Sequence, residues 1–183
     1  MLVLFDMDGV VADFESGHAA MCKRLNIPAA MVGVGRNTWD ILGNIPDEAL
    51  RLRVLEGWHA PNFFADLKPI WEMIDVVRSV RNAGHSVFFC TSPLRNHATC
   101  ASEKIKWVAR YFGAEYENKV IISSDKTLVM GDYLVDDRPD IHGVKEPLWQ
   151  HLLFAQPYNA SATKRRYSLS DLVHFFTKEL NTP

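Results

Sequence analysis

Leu2-Val3-Leu4-Phe5-Asp6-Met7-Asp8-Gly9-Val10 opens the chain, and its reading decides the fold class. Four consecutive apolar residues that stop abruptly at acidic residues and a glycine read as a short buried strand running into a loop. Working outward, Ser86–Cys90, Lys119–Ile122, Tyr133–Val135 and Leu152–Ala155 read as further strands. Helical stretches are predicted over Asp13–Leu25, Asp47–Gly57 with Asp47 as cap, Pro69–Ala83, Ser102–Phe112 and Ser170–Leu180 with Ser170 as cap. In the third of these Ile70, Ile74, Val77 and Val80 share one face, and Gly84 ends it. Strands that alternate with helices pair in parallel, so the chain is expected to be an α/β protein.

The stretch from about 15 to 68 breaks that rhythm: it is helical and rich in Gly and Pro, with no strong strand. It reads as an insertion over the sheet. The expected organisation is an α/β core of residues 1–14 and 69–183 with a small helical cap of residues 15–68. The triplet Lys164-Arg165-Arg166 reads as a solvated turn.

Composition narrows the function classes. The 183 residues carry 20 Lys+Arg and 22 Asp+Glu, a formal net charge of −2, and 48% are hydrophobic. That is the make-up of an ordinary globular protein, long enough to bury a core. A charge of −2 exerts no general attraction on polyanions, which argues against a protein coating nucleic acid or anionic membranes. No apolar run approaches the ~18 residues of a membrane span. The opening run is too short for a signal peptide. Three cysteines, Cys22, Cys90 and Cys100, make no disulfide framework and no zinc motif, so a reducing, cytoplasmic setting is expected.

The chemistry gathers at strand ends. Open α/β sheets bind ligands at the carboxyl edge of their strands. Here the first strand ends in Asp6-Met7-Asp8, the second in Thr91-Ser92-Pro93 and the fourth in Asp136-Asp137, with Lys126 just before the fourth. Each piece alone has an ordinary reading as a turn former, a helix cap or a surface residue. Together they put four carboxylates on one edge, where a lysine and a divalent cation would have to offset their repulsion. Oxygen-only ligands favour Mg²⁺ over zinc.

This ordered set resembles the haloacid dehalogenase (HAD) superfamily of phosphotransferases. Asp6-Met7-Asp8-Gly9-Val10, Thr91, Lys126 and Asp136-Asp137 look like its four motifs. The fuller segments Asp6 to Glu15, Cys90-Thr91-Ser92-Pro93, Asp125-Lys126-Thr127 and Asp136-Asp137-Arg138-Pro139-Asp140 are similar to the 5′(3′)-deoxyribonucleotidase family, as are Asn62-Phe63-Phe64 and Trp107-Val108 with Tyr111-Phe112-Gly113. The resemblance implies a three-layer Rossmann-like core with a parallel sheet and a helical cap inserted after the first strand. It also implies a Mg²⁺-dependent phosphoric monoester hydrolase acting on deoxyribonucleoside 5′(3′)-monophosphates through an aspartyl-phosphate.

Site roles follow from the same resemblance. Asp6 would be the nucleophile and Asp8 the general acid and base. The Asp6 side chain, the Asp8 backbone carbonyl and Asp137 would hold Mg²⁺, with Asp136 in support. Thr91, Ser92, Arg95 and Lys126 would bind phosphate. Phe14, Trp39, Phe63 and Phe64 are candidates for the base and sugar pocket, because a nucleobase needs a flat apolar surface to stack on. Each of these aromatics could equally be packing inside the cap. The family has a Phe-Trp pair where this chain reads Thr38-Trp39, which leaves base preference open. The partner expected is a small nucleotide, with no polymeric nucleic acid and no membrane; a homodimer stays open.

Rival chemistries fare worse. A cysteine phosphatase loop needs Cys-x5-Arg, but the sixth residue after Cys90 is Asn96, with Arg95 one short. Gly33-Val34-Gly35 is followed by Thr38 where a dinucleotide loop needs a third glycine. A phosphatase for another small ester, such as a sugar phosphate, and an inactive nucleotide-binding module remain the alternatives.

Overall fold

The computed structural model describes residues 1–177. Its centre is a six-stranded sheet built from β1 (Leu2–Phe5), β4 (Ser86–Thr91), β5 (Val120–Ile122), β6 (Tyr133–Asp136), β7 (Gln150–Phe154) and β8 (Arg166–Tyr167). The strand order is β5-β4-β1-β6-β7-β8, and every neighbouring pair is parallel. The opening strand is therefore central, flanked by the two strands that end in Thr91 and Asp136.

Alternation along each strand sorts side chains to opposite faces. Val3, Phe5, Val87, Phe89 and Val135 join one core cluster. It also takes apolar residues of α3 (Trp71–Asn82), α4 (Cys100–Phe112) and α5 (Leu169–Thr177). Leu4, Cys90 and Leu134 face the other way, onto Trp149 and partly buried Val129 and Ile141. Helices thus cover one face, and a 3-10 turn (Lys126–Leu128) with the irregular chain on either side of β6 covers the other.

The segment after β1 leaves and returns through a small antiparallel ribbon. β2 (Ala12–Asp13) pairs with β3 (Lys68–Pro69), Ala12 opposite Pro69. Between them lie α1 (Phe14–Arg24), capped by the Asp13 carboxylate on the Ser16 amide, and α2 (Glu48–Trp58), capped by Asp47 on the Leu50 amide. This segment has its own core of Met21, Cys22, Ile27, Val32, Ile41, Ile45, Val54 and Trp58.

Several local expectations need correction. Pro69 belongs to the ribbon, and the helix starts at Trp71, because Ile70 donates its amide to the Val11 carbonyl instead of entering a helix. Ribbon strands of two residues carry too little pattern to be read. Arg166 lies in β8 rather than in a solvated turn: its guanidinium donates to Asn159 Oδ1 and the Gln156 carbonyl. The closing helix is capped by Ser168, which exchanges hydrogen bonds with Asp171, and not by Ser170. Its expected end at Leu180 lies outside the described residues.

Candidate active site

The carboxyl ends of β1, β4 and β6 meet at a cleft of about 370 Å³, roofed by the inserted segment. Asp6 sits at the end of the central strand, and its amide donates to the Val135 carbonyl, which locks it beside β6. The chain then turns sharply: the amides of Val10, Val11 and Ala12 all reach the Met7 carbonyl. Gly9 has φ +77°, and a Cβ there would lie 2.5 Å from Asp137 Oδ2 and 2.6 Å from the Tyr158 hydroxyl. The loop therefore needs glycine both for its backbone and for the space that Asp137 occupies.

Two buried lysines pair with three of the four carboxylates. Lys126 Nζ lies 2.7 Å from Asp6 Oδ1 and 2.6 Å from Asp136 Oδ2. The second Asp136 oxygen accepts the Arg138 amide at 2.8 Å, so Asp136 is fully engaged and suits a supporting role. Lys104 Nζ contacts Asp8 Oδ2 at 2.7 Å, Thr91 Oγ at 2.9 Å and the Ser92 carbonyl at 2.8 Å. Since the Thr91 oxygen accepts from Lys104, its hydroxyl proton is free to point into the cleft. Asp8 Oδ1 is buried without a hydrogen-bond partner. Asp137 is held from behind by the Tyr158 hydroxyl, and Asn159 Nδ2 donates to its main-chain carbonyl at 2.8 Å.

Electrostatics divides these groups. Burial pushes the Asp8 carboxyl upward, with Asp6 adding to the rise and Lys104 opposing it. Burial, then Asp136 and Asp6, pushes Asp137 well above the usual carboxylate range. Burial alone would lower Lys126, but Asp136 and Asp6 outweigh it and hold the ammonium charged. Fully ionised, four carboxylates facing two ammonium groups would leave a deficit of two positive charges. One oxygen each from Asp6, Asp136 and Asp137 lies within 4.8 Å of the others. An all-oxygen, doubly under-neutralised cluster fits a hard divalent cation. One Asp8 oxygen is turned toward Lys104, and the Asp8 side chain is not part of this cluster.

The structure brings most of the expected residues together. Asp6, Asp8, Thr91, Ser92, Lys126, Asp136 and Asp137 all line the cleft, with Phe14, Trp39 and Phe64. Arg95 and Phe63 do not. Arg95 is exposed, and its carbonyl accepts from the His59 ring. Phe63 lines a separate hollow between α1 and the loop after α2. Lys104, whose ammonium is fully used by Asp8, Thr91 and the Ser92 carbonyl, is a buried basic residue that was not expected. Its signal was present: Cys100, Lys104, Trp107 and Val108 share the buried stripe of α4, and a lysine on such a stripe requires a partner. Trp58, which meets Phe14 edge-on at 5.4 Å, also lines the cleft and was not expected.

Behind that aromatic wall sits His18, fully buried. Its Nε2 meets the Val32 carbonyl at 2.7 Å, and its Nδ1 accepts the Trp58 indole N–H at 3.2 Å, so the neutral Nε2–H form fits. Burial holds its pKa below the ordinary value, partly offset by the Val32 carbonyl. A group that binds its proton more weakly when folded loses stability as pH falls below its unfolded value of about 6.5. The site carboxylates, raised by folding, contribute with the opposite sign, so the wild type must be compared with a variant that shares them. Between pH 7 and pH 5.5 the stability advantage of wild type over His18→Gln should shrink, by at most about 1.4 kcal/mol per pH unit. Denaturant melts at both pH values check this; a constant difference refutes it.

Comparison with known proteins follows the same lines. A family model for the 5′ nucleotidase, deoxy (pyrimidine), cytosolic type C proteins matches residues 1–176. The human cytosolic-type 5′(3′)-deoxyribonucleotidase is 37% identical over 163 residues, covering 86% of this chain and 81% of the relative. A Bordetella bronchiseptica protein, provisionally assigned as a 5′(3′)-deoxyribonucleotidase, is 38% identical over 168 residues, covering 90% of this chain and 89% of the relative. A haloacid dehalogenase-like crystal structure from Burkholderia xenovorans LB400 superposes with a TM-score of 0.50 at 14% identity, covering 98% of this chain and 96% of that one, which speaks to the fold. Matched along nearly its whole described length, the chain belongs to the 5′ nucleotidase, deoxy (pyrimidine), cytosolic type C family.

Proposed function

We propose that this chain is a Mg²⁺-dependent phosphoric monoester hydrolase that releases phosphate from deoxyribonucleoside 5′(3′)-monophosphates. The observation that carries this reading is the division of labour between Asp6 and Asp8. Asp6 is paired with a charged Lys126 and can attack phosphorus through its other oxygen. Asp8 has a raised pKa and a buried, unpartnered oxygen, the combination a general acid needs.

The residues act in order. Thr91 donates its hydroxyl to a phosphate oxygen, while Lys126 supplies positive charge beside Asp6. Asp6 attacks in line and forms an aspartyl-phosphate as Asp8 protonates the leaving sugar oxygen. Asp8, now ionised and steadied by Lys104, takes a proton from water, and that water releases phosphate and regenerates Asp6. A divalent cation held by Asp6, Asp137 and the Asp8 carbonyl would supply Lewis-acid stabilisation of charge on the phosphoryl oxygens.

The 15–68 segment is read as a cap whose Trp39 and Trp58, with Phe14 at the end of the core segment, receive the base. Thr38, where the resembled family has an aromatic, is tied to Asn44 Nδ2 at 2.7 Å and adds no stacking surface. That observation supports the second reading, a phosphatase for another small ester. Three buried free thiols fit a cytoplasmic location, and no described helix is long and apolar enough to cross a membrane.

A kinetic screen separates the readings. Ribo- and deoxyribonucleoside 5′- and 3′-monophosphates and a set of sugar phosphates are assayed with Mg²⁺ and with chelator. Deoxyribonucleotides should give the highest kcat/KM, and chelation should abolish turnover. Equal or faster sugar phosphate hydrolysis would overturn the nucleotidase reading.

A further inference from the structure

Over the cleft, two cation–π contacts join the inserted segment to the core in opposite directions. Arg36, from the insertion, places its guanidinium 3.7 Å from the centre of the core Tyr158 ring. Arg138, from the core, places its own 4.6 Å from the centre of the Trp39 ring in the insertion. All four residues line the cleft.

Arg36 is the more strongly held of the two cations. Its side chain is only 7% exposed and is paired with Glu15 at 2.7 Å. It also donates to the Thr38 carbonyl at 2.7 Å and to the Trp39 carbonyl, so it shapes the turn that carries Trp39. Tyr158 beneath it is buried, and its hydroxyl is the donor that orients Asp137. One guanidinium therefore connects the start of α1, the Trp39 turn and the residue behind Asp137. The contacts of the Arg36 guanidinium itself include none of the strand-end groups assigned to the chemistry at phosphorus.

We propose that Arg36, Tyr158, Trp39 and Arg138 form a two-way clasp that fixes Trp39 over the cleft and sets the enzyme's preference for esters with a large aromatic group over small ones. Arg36 is a positioning residue: it acts on the substrate through Trp39. An aromatic wall held in place binds a base without first paying to order the loop, so the clasp should act on KM. The choice of substrate rests on the nucleotidase reading above; the clasp itself does not.

Hydrogen exchange on the ligand-free protein tests the contact, and kinetics tests its consequence. Arg36→Met and Tyr158→Leu should each speed exchange of the 33–45 amides, whereas Tyr158→Phe, which keeps the ring, should not. Arg36→Met should raise KM for a deoxyribonucleoside monophosphate about 5- to 30-fold with kcat held within about twofold. Its turnover of glycerol phosphate should not change. Arg36→Lys keeps the charge but cannot reach Glu15 and both carbonyls together, so it should recover only part of the loss.

Unchanged exchange in Arg36→Met overturns the clasp. Faster exchange with an unchanged KM, or an equal loss on glycerol phosphate, overturns its role in specificity. A wild type that hydrolyses no nucleotide defeats the nucleotidase reading instead, and the exchange experiment still decides whether the clasp exists.

Discussion

Asp6→Asn should remove phosphate release by at least roughly four orders of magnitude, the scale seen when a nucleophile that acts as part of a unit is lost. The same substitution should leave the cation-free protein as stable as wild type or more stable. Both effects come from the one carboxylate. Asp6 lines the cleft with one oxygen paired to Lys126, and an amide there cannot form an acyl phosphate. Asp6 also helps push Asp137 and Asp136 upward. Its neutralisation relieves that repulsion, while Lys126 keeps Asp136 as a partner at 2.6 Å. Activity and melting temperature should therefore move in opposite directions. Measured side by side, residual turnover within a hundredfold of wild type would sink the nucleophile assignment, and a large drop in melting temperature would sink the repulsion argument.

Lys126→Met carries the second large effect, with stability as the readout. The ammonium is buried between Asp6 and Asp136, and its removal leaves two carboxylates facing each other without a cation. Breaking a buried pair by deleting one partner costs about 3–5 kcal/mol. For a chain of this length each kcal/mol is worth roughly 2–4 °C, so the melting temperature should fall by about 6–20 °C. Adding Asp136→Asn should restore much of the loss, because the isolated substitution harms the fold mainly through unpaired charge. Mg²⁺ should raise the melting temperature of Lys126→Met by more than that of wild type. A single variant that melts like wild type, or a double variant no better than the single, would contradict the charge arrangement.

The amino-acid sequence by itself determined the class of fold and the chemical core. Short apolar runs that end in Asp, Thr or Asp-Asp are one-dimensional signals, since a strand's direction puts its last residue on the sheet edge whatever the rest of the chain does. That is why Asp6, Asp8, Thr91, Lys126, Asp136 and Asp137 were legible in the sequence, as was the cap at Asp47. Lys104 was legible in principle, as a charge on the buried stripe of α4, but its partners Asp8 and Thr91 lie 96 and 13 residues away.

Only the tertiary structure decided which flanking residues face the cleft. Arg95 and Phe63 sit beside motif residues in the chain, yet neighbours along an irregular backbone share no common direction, and neither lines the cleft. Arg36, Trp58, His18 and Tyr158 come from segments with no motif, and they converge because the ribbon β2–β3 folds residues 14–67 back over the sheet. Pairing across such a crossover depends on the distance and angle between packed elements, which no local pattern encodes. The strand-end chemistry is local and so was readable, as were Phe14, Trp39 and Phe64; the contacts of Arg36, Trp58 and Tyr158 are long-range and were not.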